Sequence, residues 1–390
     1  MYIRRILEDD VLASLKNRKI LFLLGARQVG KTTLIEKILE TDSGDVLNMD
    51  TDIHRQRLLE AAALEPAEAV KALTGGRVLV IDEAQRVKDI GRITKSWYDA
   101  KVKTKIVLLG SSSATLLDLA ASELVGRNEK LWLTPLLFGE VLAQQAWWRE
   151  DLTAARAQEH YAKQVKALLM SRLVAGSYPE AYLTREPAKY LTNLTSDYLL
   201  KDIFTKSLVR SPEDVRRLLL ELAQETGSTV SVNQLATRLK LSRQTIQRYL
   251  ELLEGIFVIF KLPAYATDSD KEINKGVKYY FWDTGVKNAL LQEWTISETR
   301  GDIDKLWENW VIAEIAKQRL TYGRLEDLFF WRSRHGSNVE LVVKQGSSIN
   351  PFTIVYDPDD ASRRPSQSFA SAYGVTPKTI HRDNVLEVLR

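Results

Sequence analysis

The sequence predicts an α/β fold over its first third, a parallel sheet covered by helices, followed by a helical region, a helix-turn-helix with a strand wing, and a small α/β terminal domain. Three observations predict it. Short, fully apolar runs such as Ile20-Leu-Phe-Leu-Leu24 and Val78-Leu-Val-Ile81 read as strands buried on both faces, as in a parallel sheet. Helical stretches alternate with those runs. From about residue 142 the periodicity becomes helical, and beyond Gly301 short strands return.

The elements follow in order. Residues 20–24 form the first strand, which runs into a glycine-bounded loop at 25–31 and a helix over 32–40. Further strands are predicted at 46–50, 77–81, 105–109 and 130–133. Residues 142–210 are helical, with a break at Gly176-Ser-Tyr-Pro179. Ser211-Pro-Glu opens another helix, with Ser as its cap and Pro in its first turn. Residues 229–255 read as a helix-turn-helix, and 257–265 and 278–282 as the strands of a wing. A helix over 303–320 and strands at 327–331 and 339–344 follow, and the stretch after Asp357 is rich in Asp, Pro, Ser and Arg. The predicted domains are 1–141, a helical connector at 142–210, the winged helix-turn-helix at 211–300, and a terminal domain at 301–390.

Composition excludes several chemistries. Among 390 residues, 55 Lys and Arg against 51 Asp and Glu leave a formal net charge of +4, too slight by itself to indicate a nucleic-acid partner. The absence of cysteine removes disulfides, zinc-thiolate sites and Cys nucleophiles. His54, His160, His335 and His381 are scattered without metal-ligand spacing. No apolar run approaches the roughly 20 residues of a membrane helix, and acidic residues occupy the position of a signal peptide's apolar segment. The expectation is a cytoplasmic protein with no membrane partner.

Gly25-Ala-Arg-Gln-Val-Gly-Lys-Thr32 satisfies the phosphate-binding pattern G-x-x-x-x-G-K-[ST] between a strand and a helix, the context it requires. Gly25, Ala26, Arg27, Gln28, Val29, Gly30, Lys31, Thr32 and Thr33 are the expected nucleotide contacts. Backbone N–H groups and the following helix N-terminus receive the phosphates. Lys31 reaches the β- and γ-phosphates, and Thr32 ligates magnesium. Asp82 and Glu83 stand at the carboxyl end of an apolar strand, the edge where open α/β sheets bind ligands. Asp82 is expected to share the magnesium, and Glu83 to orient or deprotonate water. Ser111 reads either as a contact to that water or the γ-phosphate, or as part of the polar turn Ser111-Ser-Ser113. Arg127 reads either as an arginine finger, acting in cis or in trans, or as a surface residue. Arg27 is also compatible with a solvated place in the loop. The implied cofactors are ATP and Mg2+.

These residues resemble a prokaryotic AAA-type ATPase family that joins an ATPase domain to a C-terminal domain of unknown function. The resemblance rests on the P-loop, Ile81-Asp-Glu-Ala-Gln85, Leu109-Gly-Ser-Ser112, Gly126-Arg127 and Pro135-Leu-Leu-Phe-Gly-Glu140, then Gly176-Ser-Tyr-Pro-Glu180, Asp202-Ile203 and Tyr280-Phe-Trp-Asp-Thr-Gly285. It implies an additional-strand sheet, with the Ser111 strand between the P-loop and Asp82 strands. It also implies a winged helix and a terminal domain similar to restriction-endonuclease folds.

In the helix-turn-helix, Ser242 is the predicted cap of the second helix. Ile246, Leu250 and Leu253 face inward, leaving Arg243, Gln244, Gln247 and Arg248 outward, as a recognition helix presents side chains to a major groove. A protein-docking module fits the same pattern. Counting Arg238 and Lys240 as well, the segment carries four basic residues against Glu251 and Glu254.

The nuclease resemblance implies a helix Glu, a strand acid and a Glu-x-Lys pair around a metal. Glu308 in Trp307-Glu-Asn-Trp310 resembles the helix Glu, and Asn338 and Glu340 stand where relatives more often have Glu and Asp. At the Glu-x-Lys position the chain has Pro351-Phe-Thr-Ile-Val355, and neither Thr353 nor Val355 can do that work. Lys344, four residues after Glu340 and so on the same strand face, reads as an edge lysine or a relocated catalytic one. The domain is therefore expected to be structural or binding, its catalysis lost. Two functions fit the whole chain: an ATPase associated with DNA, and a nucleotide-gated switch or scaffold for a protein partner, with homo-oligomers or nucleotide-dependent assembly compatible with either.

Overall fold

A computed structural model describes residues 2–111, 122–149, 151–199, 211–266, 276–360 and 365–389. The chain divides into two compact units. The first comprises Met1–Thr134 with Gly255–Phe257 and Leu320–Tyr322.

Its sheet contains β1 (Ile20–Leu24), β2 (Gly44–Asn48), β3 (Val78–Asp82), β4 (Lys105–Gly110) and β5 (Asn128–Trp132). All pairings are parallel, in the order β2-β3-β4-β1-β5. The strand ending at Ser111 thus lies between the P-loop strand and the Asp82 strand, as the additional-strand resemblance implies. Every residue of β1, β3 and β4 is buried, which is why these strands appear as unbroken apolar runs. β2 and β5 are edge strands, half-exposed and without such a run. Both begin two residues before the predicted strands.

Helices α1 (Glu8–Leu15), α2 (Lys31–Leu39), α3 (Asp52–Ala61), α4 (Pro66–Leu73) and α5 (Ile90–Asp99) accompany this sheet. α5 turns Ile90, Thr94 and Trp97 inward at helical spacing. Trp97 packs in one core with Phe22, Leu24, Ile81 and Leu108. Lys105 donates to the carbonyls of Ser14 (2.6 Å) and Lys19 (2.5 Å), fixing the exit of α1 against β4. Burial pulls its pKa down to about 8.

The second unit is Pro135–Glu254, Val258–Arg319 and Gly323–Arg390. It begins with α6 (Phe138–Ala143), α7 (Ala154–Ala175), α8 (Pro179–Leu183) and α9 (Pro187–Asn193). Then come α10 (Pro212–Gln224), β6 (Thr229–Val230), α11 (Val232–Leu239), α12 (Arg243–Gly255), β7 (Ile259–Pro263) and β8 (Val277–Phe281). β8 pairs antiparallel with both β6 and β7. α13 (Thr284–Leu291) and α14 (Ile303–Thr321) lead to β9 (Asp327–Arg332), β10 (Asn338–Gln345), β11 (Ser348–Ile354), α15 (Gln367–Tyr373), β12 (Lys378–Ile380) and α16 (Val385–Val388). The four terminal strands order as β12-β11-β10-β9. Among the described residues, no helix is long and apolar enough to cross a membrane.

Serines cap the helices of the middle segment. Ser211 Oγ accepts from Asp214 N at 3.3 Å, Ser231 Oγ from Gln234 N at 3.4 Å, and Ser242 Oγ from Thr245 N at 3.0 Å.

The unit has a shared core. Leu169 and Leu173 of α7, Leu262 of β7, Tyr280 of β8, Trp307 and Trp310 of α14, Phe330 of β9 and Leu341 of β10 pack together. The segments predicted as connector, winged helix and terminal domain therefore share apolar packing. Phe138 and Leu142 bury in the same cluster, and the second compact unit begins at Pro135.

Two sequence landmarks meet at the end of α7. Asp283 Oδ2 accepts from Ser177 N at 2.6 Å, and its Oδ1 accepts from Val286 N at 3.2 Å, capping α13. Thr284 and Asn288 donate to the carbonyls of Arg172 (3.3 Å), Leu173 (3.0 Å) and Val174 (2.9 Å), the acceptors that the last turn of a helix leaves open. Gly176 has φ +66°, and a Cβ there would lie 1.9 Å from Asp283 Oδ1. The Gly-Ser-Tyr-Pro and Trp-Asp-Thr-Gly strings are thus two halves of one helix-end latch. Asp202-Ile203, Ser112, Ser113 and most of the β7–β8 connection lie outside the described residues.

Candidate nucleotide site

β1 ends at the P-loop, and α2 begins at Lys31. The loop lies close against the chain leaving β5: a Cβ on Gly25 would sit 2.0 Å from the Leu133 carbonyl oxygen. Leu133 N in turn donates to Leu24 O at 2.7 Å. Lys31 is buried, and its Nζ donates to Gly25 O (2.9 Å) and Ala26 O (2.8 Å), so its charge lies within the loop. Thr33 is exposed in the first turn of α2. Arg27 NH2 lies 3.9 Å from Asp50, which also pairs with Arg86 at 3.0 Å.

The parallel register brings β3 and β4 to the same edge. Thr32 Oγ1 donates to Asp82 Oδ2 at 2.8 Å, and Asp82 Oδ1 accepts from Glu83 N at 2.8 Å. This hydroxyl and carboxylate are hard oxygen donors beside the phosphate loop, a set that suits magnesium. Glu83 adopts a left-handed backbone (φ 52°), a conformation that turns it off the strand direction. Its Oε2 accepts from Ser111 Oγ at 3.1 Å and from Gln85 Nε2, and Gln85 Nε2 also reaches Ser111 Oγ at 3.3 Å. Burial raises the Glu83 pKa, while the Lys31 charge opposes that rise. The structure thus brings Lys31, Thr32, Asp82, Glu83 and Ser111 together. Gln85 was not among the predicted site residues, although it stands inside the Ile81-Asp-Glu-Ala-Gln85 string.

Arg127 is not brought to this place. It precedes β5, and its carbonyl accepts from Ile20 N at 2.8 Å, at the start of β1. In a parallel sheet that is the edge opposite the P-loop. Its Nε is paired with Asp99 Oδ1 at 2.7 Å. Within its own sheet Arg127 therefore stands away from the Lys31, Thr32, Asp82, Glu83 and Ser111 cluster.

Residues 17–142 match the AAA domain family. The first unit carries an AAA-type P-loop ATPase domain. Residues 166–295 match Domain of unknown function (DUF8612), and 304–386 match Domain of unknown function (DUF4143). The chain is similar to an uncharacterized protein of Mycobacterium tuberculosis, at 25% identity over 350 residues, spanning 87% of this chain and 71% of the relative. It is also similar to an uncharacterized protein of Methanocaldococcus jannaschii, at 25% identity over 397 residues, spanning 98% of this chain and 84% of the relative. Among solved structures, a Walker-type ATPase of Pyrococcus abyssi aligns with a TM-score of 0.48 and 17% identity, over 74% of this chain and 96% of its own.

Outside the AAA domain, Arg243, Gln244, Gln247 and Arg248 are exposed on α12, while Ile246, Leu250 and Leu253 are buried. Arg238 is committed elsewhere: it pairs with Glu221 at 3.1 Å and with Glu225. Of the four basic residues counted across this segment, Arg238 is thus ion-paired with acidic neighbours.

In the terminal segment, Glu308 and Glu340 come together, and a lysine unforeseen from the sequence joins them. Lys278 of β8 places Nζ 3.1 Å from Glu308 Oε1, which also accepts from Tyr280 OH at 2.6 Å. Glu340 accepts from Asn338 Nδ2 (2.5 Å) and Ile354 N (3.1 Å). Burial, and then the Glu308 charge, raise its pKa to about 7. Lys344 does not share this face. A register shift between Val339 and Val342 breaks the strand alternation, and Lys344 lies 6.0 Å from the Tyr265 ring centroid. Thr353 and Val355 are buried, and Thr353 Oγ1 lacks a hydrogen-bond partner.

Proposed function

We propose that the chain is a magnesium-dependent ATPase whose working residues are Lys31, Thr32, Asp82, Glu83 and Ser111. The observation that carries the reading is the convergence of the Lys31 charge, the Thr32–Asp82 oxygen pair and the Ser111-held Glu83 carboxylate at one sheet edge. Lys31 exchanges its loop carbonyls for the β- and γ-phosphate oxygens. Thr32 and Asp82 would hold the magnesium, which when bound would offset phosphate charge. Glu83 orients water and accepts its proton as the water oxygen bonds to the γ-phosphorus. The bond to the β-phosphate oxygen breaks, and ADP leaves. A buried carboxylate with a raised pKa is a stronger base for that step.

The test is steady-state hydrolysis by wild type and Glu83→Gln, with nucleotide affinity measured separately. We expect Glu83→Gln to lose about 100-fold or more in kcat while still binding ATP. Equal turnover by both proteins refutes the assignment.

We further propose association with DNA through Arg243, Gln244, Gln247 and Arg248. The helix–strand–helix–helix–hairpin order of α10 to β8 supports a winged-helix reading, in which α12 is the recognition helix. The reading predicts ATP turnover stimulated by duplex or single-stranded DNA, and salt-sensitive binding. The pairing of Arg238 with Glu221 and Glu225 favours a competing reading, a nucleotide-gated switch docking a protein. Turnover blind to DNA supports that alternative. The terminal segment is read as structural or binding rather than cleaving, since the Lys278 ammonium stands against Glu308 where a nuclease site needs a metal.

A further inference from the structure

Arg5 precedes α1 and belongs to no motif, yet it touches the phosphate loop. It is buried, with NH1 donating to Val29 O at 2.8 Å and NH2 donating to Thr134 O at 2.7 Å. Ile3, Leu7 and Val11 around it are also buried, so the segment carrying the guanidinium is anchored. In a trans peptide the C=O and N–H of one plane point in opposite directions. A guanidinium fork grips two carbonyls at fixed geometry, which a single ammonium does not reproduce. Holding the Val29 carbonyl on the Arg5 side therefore turns the Gly30 N–H to the other side of that plane. Thr134 supplies the fixed end: it follows β5 and Leu133, whose carbonyl is the one against Gly25.

We propose that Arg5 is a positioning residue that presets the Gly30 N–H for phosphate by clamping the Val29 carbonyl to the β5 exit. The proposal rests on the ATP-site reading above and names a residue that acts on the nucleotide through the loop rather than by contact. A loop free to rotate the 29–30 peptide loses one preset donor to the polyphosphate, worth about tenfold in affinity. The loss falls on the phosphate part of the ligand.

The test uses the full chain as wild type, Arg5→Lys and Arg5→Ala. Equilibrium binding of ATP and of inorganic pyrophosphate is measured together with the unfolding midpoint and amide hydrogen exchange of a P-loop peptide. We expect both variants to bind ATP and pyrophosphate about tenfold more weakly, by the same factor, with faster exchange in the loop. Methylguanidinium should restore affinity to Arg5→Ala and not to wild type. If Arg5→Ala does not fold, Arg5→Lys carries the comparison.

Variants with a lowered unfolding midpoint but unchanged affinity would make Arg5 structural only and overturn the proposal. So would weaker ATP binding with unchanged pyrophosphate binding, which would put Arg5 at the nucleoside end. Failure of wild type itself to bind either ligand refutes the underlying ATP reading instead.

Discussion

Gly176→Ala should be among the most damaging single-methyl changes in the second unit. The residue has φ +66° and ψ −163°, a region open essentially to glycine, and an alanine there costs about 2 kcal/mol of backbone strain. Its methyl would lie 1.9 Å from Asp283 Oδ1, so the carboxylate must move. Moving it removes the cap on α13, about 1 kcal/mol. It also strands the buried Ser177 amide, about 2 kcal/mol. Together these predict a loss of about 5 kcal/mol, large beside the usual stability of a domain. The assay is urea denaturation of the full chain followed by tryptophan fluorescence, in a cycle with Asp283→Ala. Once the carboxylate is gone, Gly176→Ala should cost only its backbone part, about 2 kcal/mol. A cost below about 1 kcal/mol in the wild-type background, or the same cost in both backgrounds, would refute the latch.

Glu340→Gln should flatten part of the pH dependence of stability. A carboxylic acid raised by folding from 4.5 to about 7 contributes stability fully present below pH 4.5 and lost as pH rises through about 7. At about 1.4 kcal/mol per pKa unit, the wild-type-minus-variant stability should fall by about 3 kcal/mol across that window, read from urea midpoints; a pH-independent difference counts against the burial argument. Arg127→Ala should leave ATP turnover per subunit within about twofold at low protein concentration, because Arg127 sits at the far edge of its own sheet. A concentration-dependent loss would instead assign it to a neighbouring subunit. For DNA, Arg243→Ala should reduce the salt slope of binding by about one, while Arg238→Ala leaves it unchanged. Equal effects of the two would mean that the Glu221 and Glu225 pairing does not hold Arg238 back.

What was legible in the sequence was contiguous. The strand–loop–helix around Lys31 and the apolar strand before Asp82 carry their chemistry and context within a few residues, and the buried strands announce themselves by unbroken apolar runs. The sheet order came from the family resemblance rather than from periodicity. The edge strands β2 and β5 shifted because half-exposed strands carry a weaker signal. The place of Arg127 was not legible because the order of motifs says nothing of which edge of a parallel sheet a residue reaches. Lys344 misled because one irregularity in β10 reverses the alternation that a spacing of four assumes. Arg5 and Lys278 were invisible because they act across long separations, on Val29 and on Glu308, and neither has a local pattern to betray it.

The shared core of the second unit bears on how this chain can be dissected. A fragment cut near Gly301 would leave Tyr280 and Leu262 without the tryptophans of α14, and Lys278 without its buried counter-charge. The complementary fragment would carry Trp307 and Trp310 bare into water. Each piece would begin life as a sticky, half-finished surface, and colonies expressing either should accumulate it in inclusion bodies. Two halves that share one core are also hard to shuffle between genes. Whatever the helix-turn-helix holds and whatever the terminal strands hold, recombination would tend to hand them on together.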